Sequence, residues 1–494
     1  MYRVVLYYLL GLFAVAVVFS AIKVLPYGWL DLVFSGLFIT AVCWLTNLVF
    51  ARTFNAQANV ESVYITALIL TLIITPLSGS NASLYFSIAI WASVWAMASK
   101  YIFAIKKKHI FNPAAFGVAS TALVLGQSAS WWVGSAPLLP FVLLGGVLMV
   151  KKLLRSDLVL SFLAILFLAT LSFGFFGGTN VIQLASQAIF ESPVFFFAFV
   201  MLTEPLTTPP TENLQMVYGA LVGFLFVPQF HVGSFYFTPE LALLAGNVFS
   251  YLVSSKKKLI LTLEQRIKVG TNLYDFVFQP DEKLAFAPGQ YLEWTLAHQH
   301  PDSRGNRRYF TIASSPTERK IRMGVRFNEN SSSFKKALGA MKKGDAITAS
   351  QLSGDFTLPR DRSKKLVLVC GGIGVTPIRS MVKYLVDKNE RRSIVVLYSA
   401  KTADELMYRD VFDEAERSVG LKAVYTLTGE VPDDWSGERG RIDAKMIAKN
   451  IPDYRNRLFY ISGTHAMVEH MREVLRSMGV DGKNIKADFF PGFV

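Results

Sequence analysis

Two cysteines, Cys43 and Cys370, stand among 494 residues. With no C-x-x-C pair and no set of four thiolates, the chain supplies neither a zinc ribbon nor the ligands of an iron–sulfur cluster. Cys43 falls in an apolar run and Cys370 closes a buried type of strand, so both read as small core residues. Histidine is also scarce. Of six, only His109 and His231 lie in the first half, both at the ends of apolar spans, too few to ligate a pair of stacked haems. His298, His300, His465 and His470 lack the spacing of a metal site, and no metal is expected. Charge is the third scarcity. Residues 1–255 carry 17 Asp, Glu, Lys and Arg, whereas the other 239 residues carry 69. The net charge of +14 forms no basic stripe interleaved with aromatics, so nucleic acid is not an expected partner.

What the first half does contain is apolar residues. The chain is 52% hydrophobic with a mean hydropathy of +0.37, too apolar for a soluble protein, and the excess is concentrated before residue 255. A membrane helix needs about 20 apolar residues. On that ruler about ten spans are expected, near 4–22, 29–50, 61–77, 84–104, 113–128, 136–150, 157–176, 188–203, 215–231 and 239–254. The first is too long for a cleaved signal peptide and lacks an A-x-A site. The runs Lys106-Lys107-Lys108, Lys151-Lys152 with Arg155, and Lys256-Lys257-Lys258 follow the fourth, sixth and tenth spans. The alternate loops 78–83, 129–135 and 177–187 are uncharged. This asymmetry predicts a multi-pass protein of a bacterial-type cytoplasmic (inner) membrane, in contact with lipid, with both termini in the cytoplasm.

Two segments read as more than lipid-facing helix. In KKHIFNPAAFG (107–117), Asn112-Pro113 predicts a helix start at the membrane surface. In FVMLTEPLTTPPTEN (199–213), Glu204-Pro205 breaks a span and holds a carboxylate near the interface, or else forms a plain Pro-rich turn.

The second half changes period. From Leu259 to about residue 360, short alternating runs separated by turns predict a small antiparallel β-barrel domain. Residues 364–494 alternate buried strands and helices, as an α/β nucleotide-binding domain does. The motifs RRYFTIASSP, GGIGVTP and ISGTHAM follow in that order. Glycines placed directly after a buried strand and before a helix suit a dinucleotide phosphate.

Residues 259–494 resemble the ferredoxin–NADP reductase superfamily in its form without an iron–sulfur domain. The resemblance implies an FAD-dependent NAD(P)H oxidoreductase. Arg308 would pair with the FAD pyrophosphate, Tyr309 and Phe310 would lie by the isoalloxazine, and Thr311 would bond flavin N5. Gln290 and Tyr291 match the preceding strand, while Ser332 and Ser333 match a helix start that binds FAD phosphate. Gly371, Gly372, Gly374, Thr376 and Pro377 match the NAD(P)-binding turn. In ISGTHAM, Ser462 replaces the family cysteine that supports hydride-transfer geometry, and Gly463 follows it. Phe489, or Phe490, matches the aromatic that covers the flavin until nicotinamide displaces it. Ser399 and Lys401 suit a 2′-phosphate, while Asp404 and Glu405 are expected to cap a helix.

Residues 1–255 resemble the family of the sodium-pumping NADH:quinone reductase B subunit and the Rnf complex D subunit. KHIFNPAAFG, LLGGVLMVKKLLR (143–155) and FVMLTEPLTTPPTENLQMVYGALVGFLF carry the resemblance, in the family's order. It implies a flavin in the membrane. The stretch matching the family's attachment loop, LGQSASWWVGSAP (125–137), has no threonine, so any FMN or riboflavin is expected to bind non-covalently. Asn112, Thr203 and Glu204, with Thr207, are its expected neighbours. The two halves together predict electron flow from NAD(P)H through FAD to a membrane flavin, a quinone or a redox protein across the membrane. The alternatives are a subunit of a sodium- or proton-translocating complex, and a module that binds or transports flavin.

Overall fold

The computed structural model describes residues 2–54, 60–79, 82–105, 108–153, 155–178, 180–190, 192–254, 258–299, 301–302 and 305–490. The chain divides into two compact units, Met1–Lys256 and Lys257–Val494.

The first unit is helical: α1 (Tyr2–Ala21), α2 (Trp29–Thr53), α3 (Val60–Ile73), α4 (Ala82–Ile102), α5 (Pro113–Leu125), α6 (Leu139–Leu153), α7 (Ser156–Phe176), α8 (Val181–Phe190), α9 (Val194–Phe196) running into a π-helical turn (Phe197–Met201), α10 (Glu212–Leu225) and α11 (Pro239–Val253). Two-residue ladders, β1 (Ala104–Ile105) with β2 (Lys108–His109) and β3 (His231–Val232) with β4 (Phe235–Tyr236), close two of the connections. Against an expectation of about ten spans, four described helices are long and apolar enough to cross a membrane: Arg3–Ala21, Trp29–Thr53, Ala82–Ile102 and Ser156–Phe176. A fifth span results if Ile182–Phe190 and Val194–Met201, bent by 58°, count as one. The reason is length. A helix rises 1.5 Å per residue, so α5 with 13 residues extends only about 20 Å against a hydrocarbon core of about 30 Å. The uncharged 177–187 segment, expected as a loop, contains the start of α8. Lys106, Lys107, Glu191, Lys256 and Lys257 lie outside the described residues.

Small residues let these helices approach. A Cβ on Gly219 would lie 2.5 Å from Leu158 O, and one on Gly223 2.5 Å from Phe162 O, so the G-x-x-x-G of α10 seats directly on the α7 backbone. Gly117 of α5 does the same against Ala92 O of α4, at 2.3 Å.

The second unit begins with β5 (Leu259–Lys268), β6 (Leu273–Pro280), β7 (Tyr291–Thr295), β8 (Arg307–Thr311), β9 (Ile321–Arg326), α12 (Ser333–Ala340) and β10 (Ala346–Ser353). The segment expected as a barrel forms a six-stranded antiparallel sheet in the order β8-β7-β10-β5-β6-β9. Just beyond β8, Ala313 N–H donates to Arg322 O of β9 at 2.9 Å.

The remainder comprises β11 (Leu366–Gly371), α13 (Val375–Asp387), β12 (Ile394–Ala400), α14 (Arg409–Val419), β13 (Lys422–Leu427), β14 (Glu438–Arg439), α15 (Ala444–Asn450), β15 (Leu458–Thr464), α16 (His465–Ser477) and β16 (Ile485–Phe490). Its sheet is wholly parallel, in the order β14-β13-β12-β11-β15-β16. In β11, Leu366, Leu368 and Cys370 face one apolar core, and Val367 and Val369 face another. A strand covered on both faces has no polar positions, which is why LVLVC reads as a continuous apolar run. The chain leaves β11 toward β12 and later returns on its other side as β15. This makes the carboxyl ends of β11 and β15 a topological switch point, where open α/β sheets bind ligands.

Candidate functional site

The first group of expected residues gathers at the edge of the antiparallel sheet. Strand β8 pairs with β7, placing Thr311 opposite Tyr291, Tyr309 opposite Glu293 and Arg308 opposite Trp294. Arg308 lies with its guanidinium 5.3 Å from the Phe334 ring centre, and Phe310 packs on the same ring at 5.9 Å. Arg308 Nη1 donates to Gly305 O at 3.0 Å, and Nη2 sits 3.5 Å from Asp302 Oδ1. Ser332 caps α12, its Oγ accepting from Lys335 N–H. Ser333 N–H donates to Asp302 Oδ2 at 3.0 Å, and Ser333 Oγ accepts from Asp302 N–H at 2.9 Å. The Arg308 fork and the N-terminus of α12 therefore converge on one carboxylate. That donor set suits an anion, and a cofactor phosphate presents the same chemistry.

Beside it, Gln290 is locked at both ends: Oε1 accepts from Ala287 N–H at 2.9 Å and Nε2 donates to Gly354 O at 3.2 Å. Gly354 has φ +116°, and a Cβ there would press 3.1 Å from the Tyr291 ring. Tyr309, the exposed member of the strand, donates to Glu293 Oε2 at 2.9 Å and meets Tyr291 edge-on at 5.7 Å. Thr311 is buried.

The second group gathers at the switch point. Gly372 has φ +52° and begins a single 3-10 turn, Gly372–Gly374, that leads into α13. Thr376 and Pro377 lie in the first turn of α13, with Thr376 Oγ1 donating to Ile373 O at 3.1 Å. Gly374 abuts the neighbouring strand: a Cβ would lie 2.3 Å from Ser462 O. Gly371 and Gly463 make room for Met467, whose sulfur would lie 2.3 and 2.7 Å from added Cβ atoms. Ser399 is level with Gly371 across the β12–β11 ladder. Ser462 is level with Cys370 on one side and Asp488 on the other, and its hydroxyl is buried without a hydrogen-bond partner. Burial pushes the Asp488 carboxyl up to about 6 and lifts the Cys370 thiol well above its usual range. The side chains of Phe489 and Phe490 lie outside the described residues. Glu405, expected at a helix cap, instead pairs with Arg326 at 2.8 Å.

In the membrane unit, Asn112, Thr203 and Glu204 line one cavity with Ser62 and Thr66, its apolar wall including Ile65 and Val200. Its volume is about 40 Å³. Asn112 caps α5 through Ala115 N–H, and its own N–H donates to Asn247 Oδ1 at 2.7 Å. Asn247 in turn donates to the Tyr218 hydroxyl at 3.1 Å. Thr203 donates to Phe199 O at 2.5 Å, and Thr207 to Glu204 Oε2 at 3.3 Å. The 125–137 stretch is pinned by tryptophans: Trp131 Nε1 donates to Glu240 Oε1 at 2.7 Å, and Trp132 Nε1 to Thr71 O at 3.0 Å.

Sequence reasoning missed Asp302, Glu293, Met467 and Asp488 in the second unit, and Lys100, Ser62 and Thr66 in the first. The clearest missed signal is Lys100, a cation in the last turn of the apolar helix α4.

Residues 121–258 match the NQR2, RnfD, RnfE family, and residues 368–473 match the oxidoreductase NAD-binding domain. Similar curated proteins include a flavohemoprotein of Bacillus subtilis (strain 168), 26% identical over 240 residues, or 46% of this chain and 58% of that one. The stachydrine N-demethylase reductase subunit Stc4 of Rhizobium meliloti (strain 1021) is 28% identical over 223 residues, 44% of this chain and 62% of that one. This chain thus spans less than two thirds of the length of these relatives. Among solved structures, the flavohem-like FAD/NAD-binding domain of nitric oxide dioxygenase from Vibrio cholerae O1 biovar El Tor covers 47% of this chain and 98% of that one, at 21% identity and a TM-score of 0.42. A match to the NQR2, RnfD, RnfE family and a match to the oxidoreductase NAD-binding domain therefore lie in one chain.

Proposed function

We propose that this protein is a membrane-bound flavoprotein that carries electrons from NAD(P)H through FAD to an acceptor in, or reached through, its membrane unit. That acceptor is a non-covalently held FMN or riboflavin, a quinone, or a redox protein. The observation that carries the reading is the union, in one chain, of the two matched domains.

The proposed residue roles are those that the sequence resemblance implies. Arg308, Ser332 and Ser333 hold the FAD pyrophosphate. Gln290, Tyr291, Tyr309, Phe310 and Thr311 border its ring. Gly371, Gly372, Gly374, Thr376, Pro377 and Gly463 shape the NAD(P)H cleft, with Ser399 and Lys401 at the 2′-phosphate of NADPH. Ser462 takes the place of the cysteine that supports hydride-transfer geometry, and Phe489 covers the flavin until the nicotinamide arrives. Bound FAD supplies hydride acceptance and single-electron release. The membrane unit sits in a bacterial-type inner membrane with both termini in the cytoplasm, as its lysine runs favour.

The test is the flavin content of the detergent-purified protein after denaturation, with anaerobic bleaching by NADH and by NADPH. FAD plus about one equivalent of a second flavin, both bleached, supports an intramembrane path. FAD alone restricts the acceptor to a quinone or redox protein. Absence of FAD sinks the proposal.

A further inference from the structure

The parallel sheet of the second unit has two ends, and their charges differ. Five neighbouring strands, in the order β13-β12-β11-β15-β16, each begin at or within two residues of a basic side chain. Lys422 opens β13, Arg391-Arg392 precede β12, Lys364-Lys365 precede β11, Arg457 precedes β15 and Lys483 precedes β16. Strands lie about 4.8 Å apart, so this row is roughly 19 Å wide. Contacts join the segments that form it: Arg392 Nη1 donates to Pro359 O at 2.8 Å, Arg362 pairs with Glu390 at 3.3 Å, and Lys365 with Asp453 at 2.8 Å. Segments 359–365, 387–393, 421–422, 452–457 and 481–484 hold eleven Lys or Arg against five Asp or Glu. At the other end, where nucleotide is proposed to enter, segments 371–376, 400–405, 428–434 and 464–467 hold one Lys against five Asp or Glu. Four of the basic residues, Arg362, Lys365, Arg392 and Arg457, pair with Glu390 or Asp453. Arg360, Lys364, Lys388, Arg391, Arg455 and Lys483 are exposed. The one aromatic in these segments, Tyr454, is half-buried, and no exposed large hydrophobic side chain among the described residues falls in them. A protein interface needs an apolar core, and single-stranded nucleic acid needs rings to stack on. A plane of anionic headgroups needs only basic side chains.

We propose that this basic edge of the sheet docks on an anionic lipid surface. The chain carries its own membrane unit, so lipid is held within reach of the second unit and weak attractions suffice. Each exposed basic residue near an anionic leaflet adds an increment, and the six exposed residues of the row act together. Headgroups of the same sign repel the acidic end. Docking therefore leaves the carboxyl ends of the strands facing water, where a soluble nucleotide arrives without crossing the headgroups. The attraction is between exposed charges and fades as salt screens them. The inference rests on the membrane placement of the first unit and not on the identity of the electron acceptor.

The experiment uses the full chain in nanodiscs of phosphatidylcholine, alone or mixed with phosphatidylglycerol, with a nitroxide quencher on some headgroups. Both native cysteines are buried, so a fluorophore is attached at one introduced cysteine. Ser363→Cys marks the basic edge and Ala403→Cys the acidic end, and both positions are exposed. The proposal expects the Ser363→Cys label to be quenched about threefold or more strongly in anionic discs than in phosphatidylcholine. It expects release near about 1 M salt, where the screening length is about 3 Å. K364E, R391E and K483E combined should abolish the difference between lipids, and the neutral set K364Q, R391Q and K483Q should reduce it. Thermal melts establish that both sets fold. The Ala403→Cys label should stay bright throughout. Equal quenching of Ser363→Cys in the two lipids, a difference that survives charge reversal, or equal quenching of Ala403→Cys overturns the proposal. A label unquenched in anionic discs also overturns it and leaves the row to an acidic protein. The readout needs no electron transfer, so its failure leaves the NAD(P)H reading standing, and a protein without FAD leaves the docking standing.

Discussion

Tyr408 donates a 3.0 Å hydrogen bond to Asp275 across 133 residues of sequence, joining the turn before α14 to the middle of β6. Asp275 is 1% exposed, and Arg322 Nη1 holds its other oxygen at 2.5 Å. The Arg379 guanidinium lies 5.5 Å from the Tyr408 ring centre while its fork grips Glu318. These contacts bind the antiparallel sheet to the nucleotide-binding sheet, the two parts that would bring flavin and nicotinamide together. Burial raises both the Asp275 carboxyl and the Tyr408 phenol despite the arginines. The network's value therefore lies in its hydrogen bonds rather than in net charge attraction.

Removing one member should show this. Tyr408→Phe leaves a buried carboxylate oxygen without its donor, and the expected cost is about 1–3 kcal/mol. The check is the denaturant midpoint of the full chain, with Asp275→Asn and the double variant completing a cycle. Additive single effects would mean that the bond carries no coupling.

Arg308 and Asp302 give a second prediction. The proposed FAD phosphate must take the place of the Asp302 carboxylate on the same donors. Arg308→Ala should weaken FAD binding by about ten- to a hundredfold, the value of a charge-assisted hydrogen bond. Asp302→Asn, which removes the competing negative charge, should tighten it. FAD titration into the deflavinated protein reads both. Weaker binding in Asp302→Asn would show instead that the carboxylate pre-organises Arg308.

How much of this was legible depended on whether local sequence carried the constraint. The R-Y-F-T run and the glycines after LVLVC were visible because strand, turn and helix each left their own period. Asp302 was not, because one acidic residue in a polar turn looks like any solvated loop; only the fold brings Ser333 to it, 31 residues on. Glu293 carried no signal of its own in an alternating strand, yet it is 3% exposed and satisfied by Arg307 at 3.2 Å and Tyr309 at 2.9 Å. In the membrane unit, apolar runs located the helices but not their lengths. Gly126 ends α5 at a left-handed φ of +67°, and the π-helical turn stops three residues before Glu204-Pro205. Asn112, Thr203 and Glu204 were read from segments far apart in sequence, and the fold brings them to one cavity.

Two glycines at the nucleotide site should respond differently to the same change. Gly374→Ala drives a methyl into backbone, 2.3 Å from Ser462 O, where nothing yields without moving β15. Gly371→Ala meets the end of a flexible side chain, Met467. Gly374→Ala should therefore cost more than about 2 kcal/mol, and Gly371→Ala about 1 kcal/mol or less once Met467 turns away. Pairing Gly371→Ala with Met467→Ala should recover NAD(P)H binding, and no second side-chain change should rescue Gly374→Ala. Equal losses in thermal melts would contradict this.

Asp488 carries the pH dependence. Its carboxyl is held up to about 6 by burial, above the ordinary value of about 3.9 that it has when unfolded. Between those values the unfolded chain is ionised there while the folded chain still holds the proton. Its contribution to stability is therefore complete below about pH 4 and is lost as the pH rises toward 6, a loss of up to about 3 kcal/mol. Asp488→Asn cannot ionise, so it should flatten stability across that window and leave the variant the more stable of the two at pH 7. The same carboxyl is level with Ser462 on the adjacent strand, beside the proposed nicotinamide position. Its ionisation should appear as an inflection near pH 6 in NAD(P)H-dependent flavin bleaching, and Asp488→Asn should erase it. An unchanged inflection in the variant would assign that titration to another group.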